Sequence, residues 1–330
     1  MAATVSIIDN INSINPFLDS LEDQPINPPS FYLDIEGIRL GRHGSISILQ
    51  LYHLPQNHVY LVDIFVLGSK AFDTANRSGT TFRTVLESAN VPKVFFDVRN
   101  DSDALHAQFG VKLQGVHDVQ LLEVATRRWN KTRLTGLATC IIADLRLSIE
   151  DEDLFNATKK KGHALFNPDQ GGSYECFNAR PISQDLVDYC VQDVTYLPKL
   201  FEQYTKKIAK STLWKQRVKE ETERRVLLAQ SETCNPNEKD KGFSPWPNQG
   251  QKSQIRASHR GSRNDQAPTG TASQASKSNA QLTIGQDSIV KGHYRKLSGE
   301  ASQTADLDAM LEISRSTLKK LVSASNLLKA

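Results

Sequence analysis

Apolar residues are spread very unevenly along this chain of 330 residues. Over residues 30–204 apolar segments return at short intervals, whereas residues 231–300 consist mainly of Ser, Gln, Asn, Gly and Lys. The polar segment cannot bury enough apolar surface to offset the entropy lost on ordering. We therefore expect an N-terminal extension at 1–29, a folded domain at 30–204, a helical extension at 205–230 and a disordered linker at 231–300.

Residues 301–330 regain a helical period. An apolar stripe with charged residues off it predicts an amphipathic helix. A lone stripe beyond a linker must dock on the domain or on a protein partner, and both alternatives stay open. The stripe consists of Leu307, Met310, Leu311, Leu318, Leu321 and Val322.

Charge and cysteine content exclude several classes of protein. The net charge of +3 is too small for a polycation that coats nucleic acid by bulk attraction. The 4 cysteines show no CxxC pair, which argues against a zinc site and a disulfide scaffold. No basic segment precedes the first apolar residues, and no stretch approaches the ~20 apolar residues of a membrane helix. We expect an intracellular protein, nuclear or cytoplasmic, without membrane contact.

The ordered region alternates strand and helix patterns. Three early strands followed by alternating helices and strands predict an α/β fold, with a mixed sheet flanked by helices. The predicted strands are 30–37, 45–52, 59–64, 93–97 and 116–118, and the predicted helices are 81–88, 101–109, 119–127, 134–142 and 185–204.

The first predicted strand carries two acids, Asp34 and Glu36. Residues two apart on a strand point to the same face of the sheet. Two neighbouring carboxylates in a buried strand repel each other and lose hydration unless a cation neutralises them. Oxygen ligands of this kind suit Mg²⁺ or Mn²⁺. The pair alone is weak support for a site, because such pairs are frequent at strand ends.

A third acid lies near the start of the predicted helix 101–109. Asp97, Asp101 and Asp103 are all candidates. An acid near a helix N-terminus commonly caps the helix or offsets its dipole, so a structural role competes with a functional one. Spacing to Leu105, which anchors this helix against the sheet, favours Asp101.

Tyr189 and Asp193 form the fourth element, at positions i and i+4 of a helix. Residues at this spacing share one helical face. An apolar stripe beside that face indicates that the pair borders the core. A tyrosine four residues before an aspartate is common by chance, but here it follows the other acids in a consistent order.

Together these residues suggest a site for two metal ions acting on a phosphodiester. Two cations about 4 Å apart need carboxylates from separate segments. Asp34 would bridge the ions, and Glu36 and Asp193 would hold the ion that activates water. Asp101 would serve the second ion through its waters. Tyr189 would align the attacking water, since a pKa of about 10 makes a phenol a poor base.

These segments resemble the DEDDy branch of the DEDD 3'-5' exonucleases, the family of ribonuclease D and the Werner-type exonuclease domain. The resemblance runs from about residue 30 to 204, through LDIEG, NDSDAL and YCVQD. It is strongest to the subgroup of Egalitarian and Exd-type proteins, including fungal members. It implies a ribonuclease-H-like fold and stepwise hydrolysis from a 3' end, releasing nucleoside monophosphates with two Mg²⁺ or Mn²⁺ ions.

The resemblance also leaves an alternative. Relatives that lost their acids look like RNA-binding adaptors or scaffolds, whereas this chain keeps all five motif residues. Phe96 departs from the pattern, because many relatives have His or Asn five residues before the second-motif aspartate. The loss of a polar group there weakens the expectation for the second ion.

Two basic segments are candidates for nucleic-acid contact. Arg39, Arg42 and His43 follow the first motif and are close enough to reach a phosphate, although a solvated turn explains them equally well. Arg128, Trp129 and Lys131 form a basic loop whose aromatic ring could stack on a base. The lysine run 159–161 is typical of an exposed helix face.

Overall fold

Six strands hydrogen-bond into one mixed sheet within residues 2–232 and 241–246, the residues that the structure, a computed structural model, describes. The strands are β1 Thr4–Ile8, β2 Phe31–Ile38, β3 Ser45–His53, β4 His58–Asp63, β5 Lys93–Phe95 and β6 Val116–Asp118. Their order across the sheet is β1-β4-β3-β2-β5-β6. Strands β2, β3 and β4 are antiparallel to one another in turn, while β1 pairs parallel with β4 and β5 parallel with both β2 and β6.

Helices cover both faces of the sheet, so the predicted fold class, a mixed sheet flanked by helices, is confirmed. Within the same residues the helices are α1 Ile11–Asp19, α2 Ile64–Leu67, α3 Lys70–Asp73, α4 Phe82–Glu87, α5 Arg99–Phe109, α6 Val119–Thr126, α7 Leu137–Asp144, α8 Ile149–Phe166, α9 Gln184–Thr195, α10 Leu197–Ile208 and α11 Thr212–Ala229. Short 3₁₀ turns lie at Leu54–Gln56, Pro168–Gln170 and Tyr174–Asn178.

The side chains of β2 divide between two hydrophobic cores, one on each face. Phe31, Leu33 and Ile35 pack in the core that contains residues of α1, α4 and α5. Tyr32 packs in the core that contains residues of α9 and α10. Successive strand residues point to opposite faces, so Asp34 and Glu36 lie on the same face as Tyr32, towards α9.

The N-terminal residues belong to the fold more closely than an extension at 1–29 implies. Strand β1 forms the edge of the sheet, and Ile14, Phe17 and Leu18 of α1 are buried in the first core. Sequence reasoning missed β1 because its parallel partner β4 lies some fifty residues away and its own alternation is short. A parallel pairing of this kind is a tertiary contact that no local pattern indicates.

The predicted helix 185–204 is two helices. Helix α9 ends at Thr195 and α10 begins at Leu197, with Tyr196 between them. Pro198 occupies the first turn of α10, where its missing N–H is tolerated, but in a continuous helix its ring would clash with the preceding turn. The apolar stripe continues from α9 into α10, so the hydrophobic pattern alone does not reveal the break between the two helices.

A short piece of the expected linker contacts the domain. Phe243 forms an isolated β-bridge with Arg133, and the Trp246 ring lies edge-on to Trp214 with centroids 5.3 Å apart. These aromatic residues supply the apolar surface that the surrounding polar sequence lacks. The rest of the expected linker and the expected helix at 301–330 lie outside the described residues. Within residues 2–232 and 241–246, none of the helices combines the length and the apolar character of a membrane span.

Candidate active site

Strand β2 presents Asp34 and Glu36 towards α9, beside a β-bulge. The pairing with β3 shifts register between Glu36 and Gly37, a distortion that re-aims the side chains next to it. Gly37 permits the close approach of β3, since a Cβ at this position would lie 2.0 Å from the carbonyl oxygen of Ser45. The close packing of β2 against β3 therefore explains the glycine of the first motif.

Helix α9 brings Asp193 against this face of β2. Its N-cap Ser183 accepts a hydrogen bond from the backbone N–H of Leu186, which sets where the helix begins. Asp193 is 4% exposed, and its carboxylate lies beside those of Asp34 and Glu36. One oxygen from each of the three acids falls within 4.8 Å of the others. The structure thus brings together three of the four acids that were predicted as metal ligands.

Asp101 reaches the same edge of the sheet from a different strand. Strand β5 runs parallel to β2 with Val94 opposite Tyr32, so the chain that leaves β5 turns into α5 beside Asp34. Asp101 is 5% exposed in the first turn of α5, and its Oδ1 finds no hydrogen-bond partner among the described residues. The charge of Asp34 raises the pKa of Asp101, after the larger effect of burial.

The two competing acids of the second motif have other partners. Asp103 Oδ1 lies 2.7 Å from the Arg42 guanidinium, and Asp97 accepts two hydrogen bonds of 2.6 Å from Arg99. Asp101 therefore remains the acid that faces the site.

Burial and mutual repulsion raise the pKa values of Asp34 and Glu36. Burial, followed by the charge of Asp193, raises the pKa of Asp34 to about 7. Burial and the charges of Asp34 and Asp193 raise the pKa of Glu36 well above its usual value. Raised pKa values mean that the surrounding protein does not stabilise the ionised carboxylates as well as water does.

Tyr189 lies one helical turn before Asp193 and is almost fully enclosed. It is 6% exposed, and burial raises the pKa of its hydroxyl well above the ordinary value, so the group is a neutral O–H near neutral pH. Helix α8 approaches its ring closely at Gly162, where a Cβ would lie 2.1 Å from Tyr189 Cδ2. The rings of His163 and Phe166 meet the Tyr189 ring edge-on. The phenol is held by contacts on several sides.

Lys159 is a site residue that sequence reasoning missed. Its ammonium lies 2.6 Å from Asp193 Oδ1, donates to Oδ2 at 2.8 Å, and sits 4.3 Å from the centre of the Tyr189 ring. Lys160 and Lys161 are exposed, as expected for the whole run. The helical spacing of the sequence could have indicated that Lys159 points inward. Lys159 shares a helical face with the buried residues Phe155 and Gly162.

The residues at this site fit a divalent cation. Carboxylate oxygens from separate segments converge, and the pKa values of Asp34, Glu36 and Asp101 are raised. Asp101 Oδ1 is buried without a hydrogen-bond partner among the described residues. The donors are all hard oxygens, the ligands that Mg²⁺ and Mn²⁺ prefer. The Lys159 ammonium supplies part of the positive charge that such an ion would bring.

Two of the basic residues predicted to touch nucleic acid have partners within the fold. Arg42 donates to Asp103 and to the backbone carbonyls of Ala229 and Ser231, which ties the turn after β2 to α5 and to the end of α11. Lys131 donates to the carbonyl of Val124 at the end of α6, and its ammonium lies over the Trp214 ring. A local charge pattern does not distinguish these roles from phosphate binding.

The other predicted nucleic-acid contacts face solvent. Arg39 and His43 are exposed in the turn after β2, Arg128 is exposed, and Trp129 is 81% exposed. An exposed indole of this size is available for stacking on a base. Phe96, where many relatives carry a polar residue, is half-buried against the second core.

Comparison with known sequences identifies the family. A family model described as 3'-5' exonuclease matches residues 6–209. The chain is 29% identical over 167 residues to the mouse piRNA biogenesis protein EXD1 and 30% identical over 167 residues to the human protein of that name. Each match covers 49% of this chain, but only 26% of the mouse protein and 29% of the human protein.

Solved structures show the same fold. Trypanosoma brucei RNase D in complex with GMP is similar with a TM-score of 0.53 at 20% identity, covering 71% of this chain and 65% of that one. RNase D from the same organism in complex with RNA U12 gives a TM-score of 0.52 at 20% identity, covering 69% and 71%. The sheet and its flanking helices are thus a ribonuclease-H-like exonuclease fold, and the chain belongs to the 3'-5' exonuclease family, in its DEDDy branch.

Proposed function

We propose that this protein is a 3'-5' exonuclease that hydrolyses phosphodiester bonds from the 3' end of single-stranded nucleic acid and releases nucleoside monophosphates. The observation that carries the proposal is the convergence of Asp34, Glu36 and Asp193, whose oxygens lie within 4.8 Å of one another. Asp101 and Tyr189 border the same cluster. Asp101 Oδ1 is buried with no hydrogen-bond partner in the part of the chain that the structure describes, and a bound ion would explain this exception.

Two Mg²⁺ or Mn²⁺ ions are the proposed cofactors. Asp34 would contact both ions, Glu36 and Asp193 would hold one, and Asp101 would hold the other. When bound, such ions lower the pKa of a water and stabilise the charge that develops on the phosphate. Tyr189 keeps its proton near neutral pH, so its hydroxyl is assigned to orienting the attacking water.

RNA is the favoured substrate class. The similar trypanosomal RNase D was crystallised with RNA U12 and with GMP, a nucleoside monophosphate. In this chain the exposed residues Arg39, His43, Arg128 and Trp129 are the proposed contacts to phosphates and bases. Phosphate contacts and stacking bind a strand without selecting its sequence.

The ion pair between Lys159 and Asp193 favours a second candidate, an RNA-binding adaptor that keeps the fold without turnover. In such a protein the ammonium would stand permanently in place of a cation. The mouse and human relatives are named for piRNA biogenesis, which fits either activity. One assay separates the two candidates.

The test is degradation of matched 5'-labelled RNA and DNA oligonucleotides by the purified full chain in Mn²⁺. A ladder that shortens from the 3' end, with RNA degraded faster, is the expected result. Asp193→Asn should lower the rate at least about 100-fold, because loss of a ligand costs more than loss of its supporting partners. Asp188→Asn is the matched control, since Asp188 lies exposed on the same helix.

Two results contradict the proposal. The first is oligonucleotide binding by the wild type without shortening in Mn²⁺ or Mg²⁺, which would favour the adaptor. The second is equal degradation by wild type and Asp193→Asn, which would place the activity elsewhere.

A further inference from the structure

Helix α11 contributes a buried arginine to the region beside Asp101. The helix begins at residue 212, beyond the residues 6–209 that match the exonuclease family. Arg225 is nevertheless 3% exposed, and its guanidinium lies 2.7 Å from Asp118 Oδ2 and 3.3 Å from Asp97 Oδ1. It also donates to the side-chain oxygen of Gln120 at 3.1 Å. Arg225 is therefore a buried arginine on a helix that lies outside the family match, and its burial needs an explanation.

Asp118 links this arginine to the start of α5. Its Oδ1 accepts the backbone N–H of Asp97 at 3.1 Å and its Oδ2 accepts that of Val98 at 3.3 Å. The same carboxylate caps α6 by accepting the N–H groups of Gln120 and Leu121. Val98 is the N-cap residue of α5 and offers no side-chain cap of its own. Asp118 therefore holds the backbone N–H groups of the two residues that directly precede α5.

The turn that Asp118 holds has an uncommon backbone. Asp97 has φ 64, in the left-handed region that is unfavourable for a non-glycine residue. Such a conformation persists only where the surroundings over-determine it. Here the surroundings are the Asp118 carboxylate, the Arg99 guanidinium and Arg225.

Asp101 follows this turn within the first turn of α5. The direction in which α5 leaves the turn decides where the Asp101 carboxylate lies relative to Asp34 on β2. We propose that Arg225 is a positioning residue for the exonuclease reaction. Through Asp118 and the Asp97–Val98 turn it places Asp101 to hold the second divalent ion. This inference rests on the proposed function.

If Arg225 acted only through its charge, its removal would have the opposite effect on cation binding. Arg225 is a cation near a cluster of acids, so its removal strengthens the negative potential and by itself tightens cation binding. If Arg225 acts by position, its removal weakens the site of Asp101 instead. The sign of the change therefore distinguishes the two roles.

The experiment measures Mn²⁺ binding to the full chain by the loss of the free-ion EPR signal, for wild type, Arg225→Gln and Arg225→Lys. We expect two ions in the wild type. In Arg225→Gln we expect one ion unchanged and the second weakened about tenfold or more, the range found when an outer partner of a metal ligand is lost. Lysine keeps the charge with a shorter reach, so Arg225→Lys should lie between the two.

Arg224→Gln is the matched control, because Arg224 sits one residue away with a 60% exposed side chain and pairs with Glu221 at the surface. It should bind both ions as the wild type does. In the oligonucleotide assay Arg225→Gln should lower kcat about tenfold with little change in KM, and higher Mn²⁺ should restore part of the rate. A purely structural arginine would lower the melting temperature without these effects.

Unchanged or tighter binding of both ions in folded Arg225→Gln overturns the inference and leaves the exonuclease proposal standing. If Arg225→Gln does not fold, Arg225→Lys decides in the same way, with second-ion affinity equal to wild type as the contrary result. Absence of Mn²⁺ binding in the wild type itself overturns the proposed function, and the inference with it.

Discussion

The Lys159 ammonium and the Asp193 carboxylate form an ion pair of 2.6 Å in the middle of the candidate active site. The lysine side chain is 15% exposed and the aspartate side chain 6% exposed. A cation on the protein thus occupies the position beside Asp193 that the proposed metal ion also needs. Binding of the ion requires the pair to separate or rearrange.

Lys159→Met should therefore tighten Mn²⁺ binding and destabilise the metal-free protein. Lys159 and the ion compete for the Asp193 carboxylate. Removal of the ammonium should therefore raise the Mn²⁺ affinity about tenfold. Without metal the same change leaves a buried charge unpaired and costs about 3 kcal/mol. Calorimetric titration with Mn²⁺ and thermal unfolding in EDTA measure the two effects. Lys160→Met, an exposed change in the same helix, is the control. Weaker Mn²⁺ binding in Lys159→Met would show that the lysine supports the ion instead of competing with it.

Tyr189→Phe should lower the rate about 100-fold, comparable to loss of one positioned hydrogen-bond donor, and leave Mn²⁺ affinity nearly unchanged. The ring contacts with Phe166 and Gly162 remain, and only the hydroxyl is lost. Single-turnover kinetics on an RNA oligonucleotide, with Mn²⁺ titration of the same preparations, separates the two quantities. Tyr196→Phe serves as control at the end of the same helix. An undiminished rate would reduce Tyr189 to a packing role.

Gly162→Ala should disturb both stability and activity. The new methyl group would overlap the Tyr189 ring, so α8 or the ring must shift, at a cost of about 1–3 kcal/mol. Movement of α8 also carries Lys159 away from Asp193. Thermal unfolding and the oligonucleotide assay test the change against Gly242→Ala, where a methyl group meets nothing within 4 Å. Equal stability of the two variants would mean that the helices do not approach as closely as the structure shows.

Metal binding should depend on pH near neutrality. The pKa of Asp34 is raised to about 7 by burial and the charge of Asp193, and an ion must displace the proton. Mn²⁺ affinity should therefore rise with pH, by up to about tenfold per pH unit below pH 7. Titrations at pH 6, 7 and 8 measure this rise. Equal affinities at pH 6 and pH 8 would contradict the raised pKa.

The same shift has the opposite effect on the metal-free protein. The folded carboxyl keeps its proton up to about pH 7, whereas the unfolded one, with a pKa of 3.8, has already released it. The folded state binds more protons in this window, so the contribution of Asp34 to stability falls as the pH rises from about 4 to about 7. Thermal unfolding of wild type in EDTA, compared with Asp34→Asn, isolates this contribution. The wild type should lose stability relative to the variant as the pH rises.

Local periodicity accounts for much of what could be predicted. The two-residue period of a strand places Asp34 and Glu36 on one face, and the four-residue spacing of a helix stacks Tyr189 on Asp193, as the structure has them. The short strand 116–118 appears with the bounds that its pattern indicated. These features depend on backbone geometry that adjacent residues determine by themselves.

Other features depended on which distant segments meet. Arg42 and Lys131 were predicted as nucleic-acid contacts, and the fold pairs them with Asp103 and with the end of α6. Lys159 was predicted to lie on an exposed helix face, and the fold places it beside Asp193. A lysine or arginine has the same charge and length whether it binds a phosphate, faces solvent or pairs with a carboxylate of the protein. The local sequence therefore does not distinguish these roles.

The sequence by itself determined the order of the acids and their secondary-structure setting, because both follow from short-range spacing. Its motif segments also indicated the family, by resemblance. Tertiary structure alone decided that β1 completes the sheet, that Lys159 pairs with Asp193, and that Arg225 reaches Asp118. The physical reason is that burial, ion pairing and pKa shifts depend on distances between atoms of remote segments. Those distances exist only once the chain has folded.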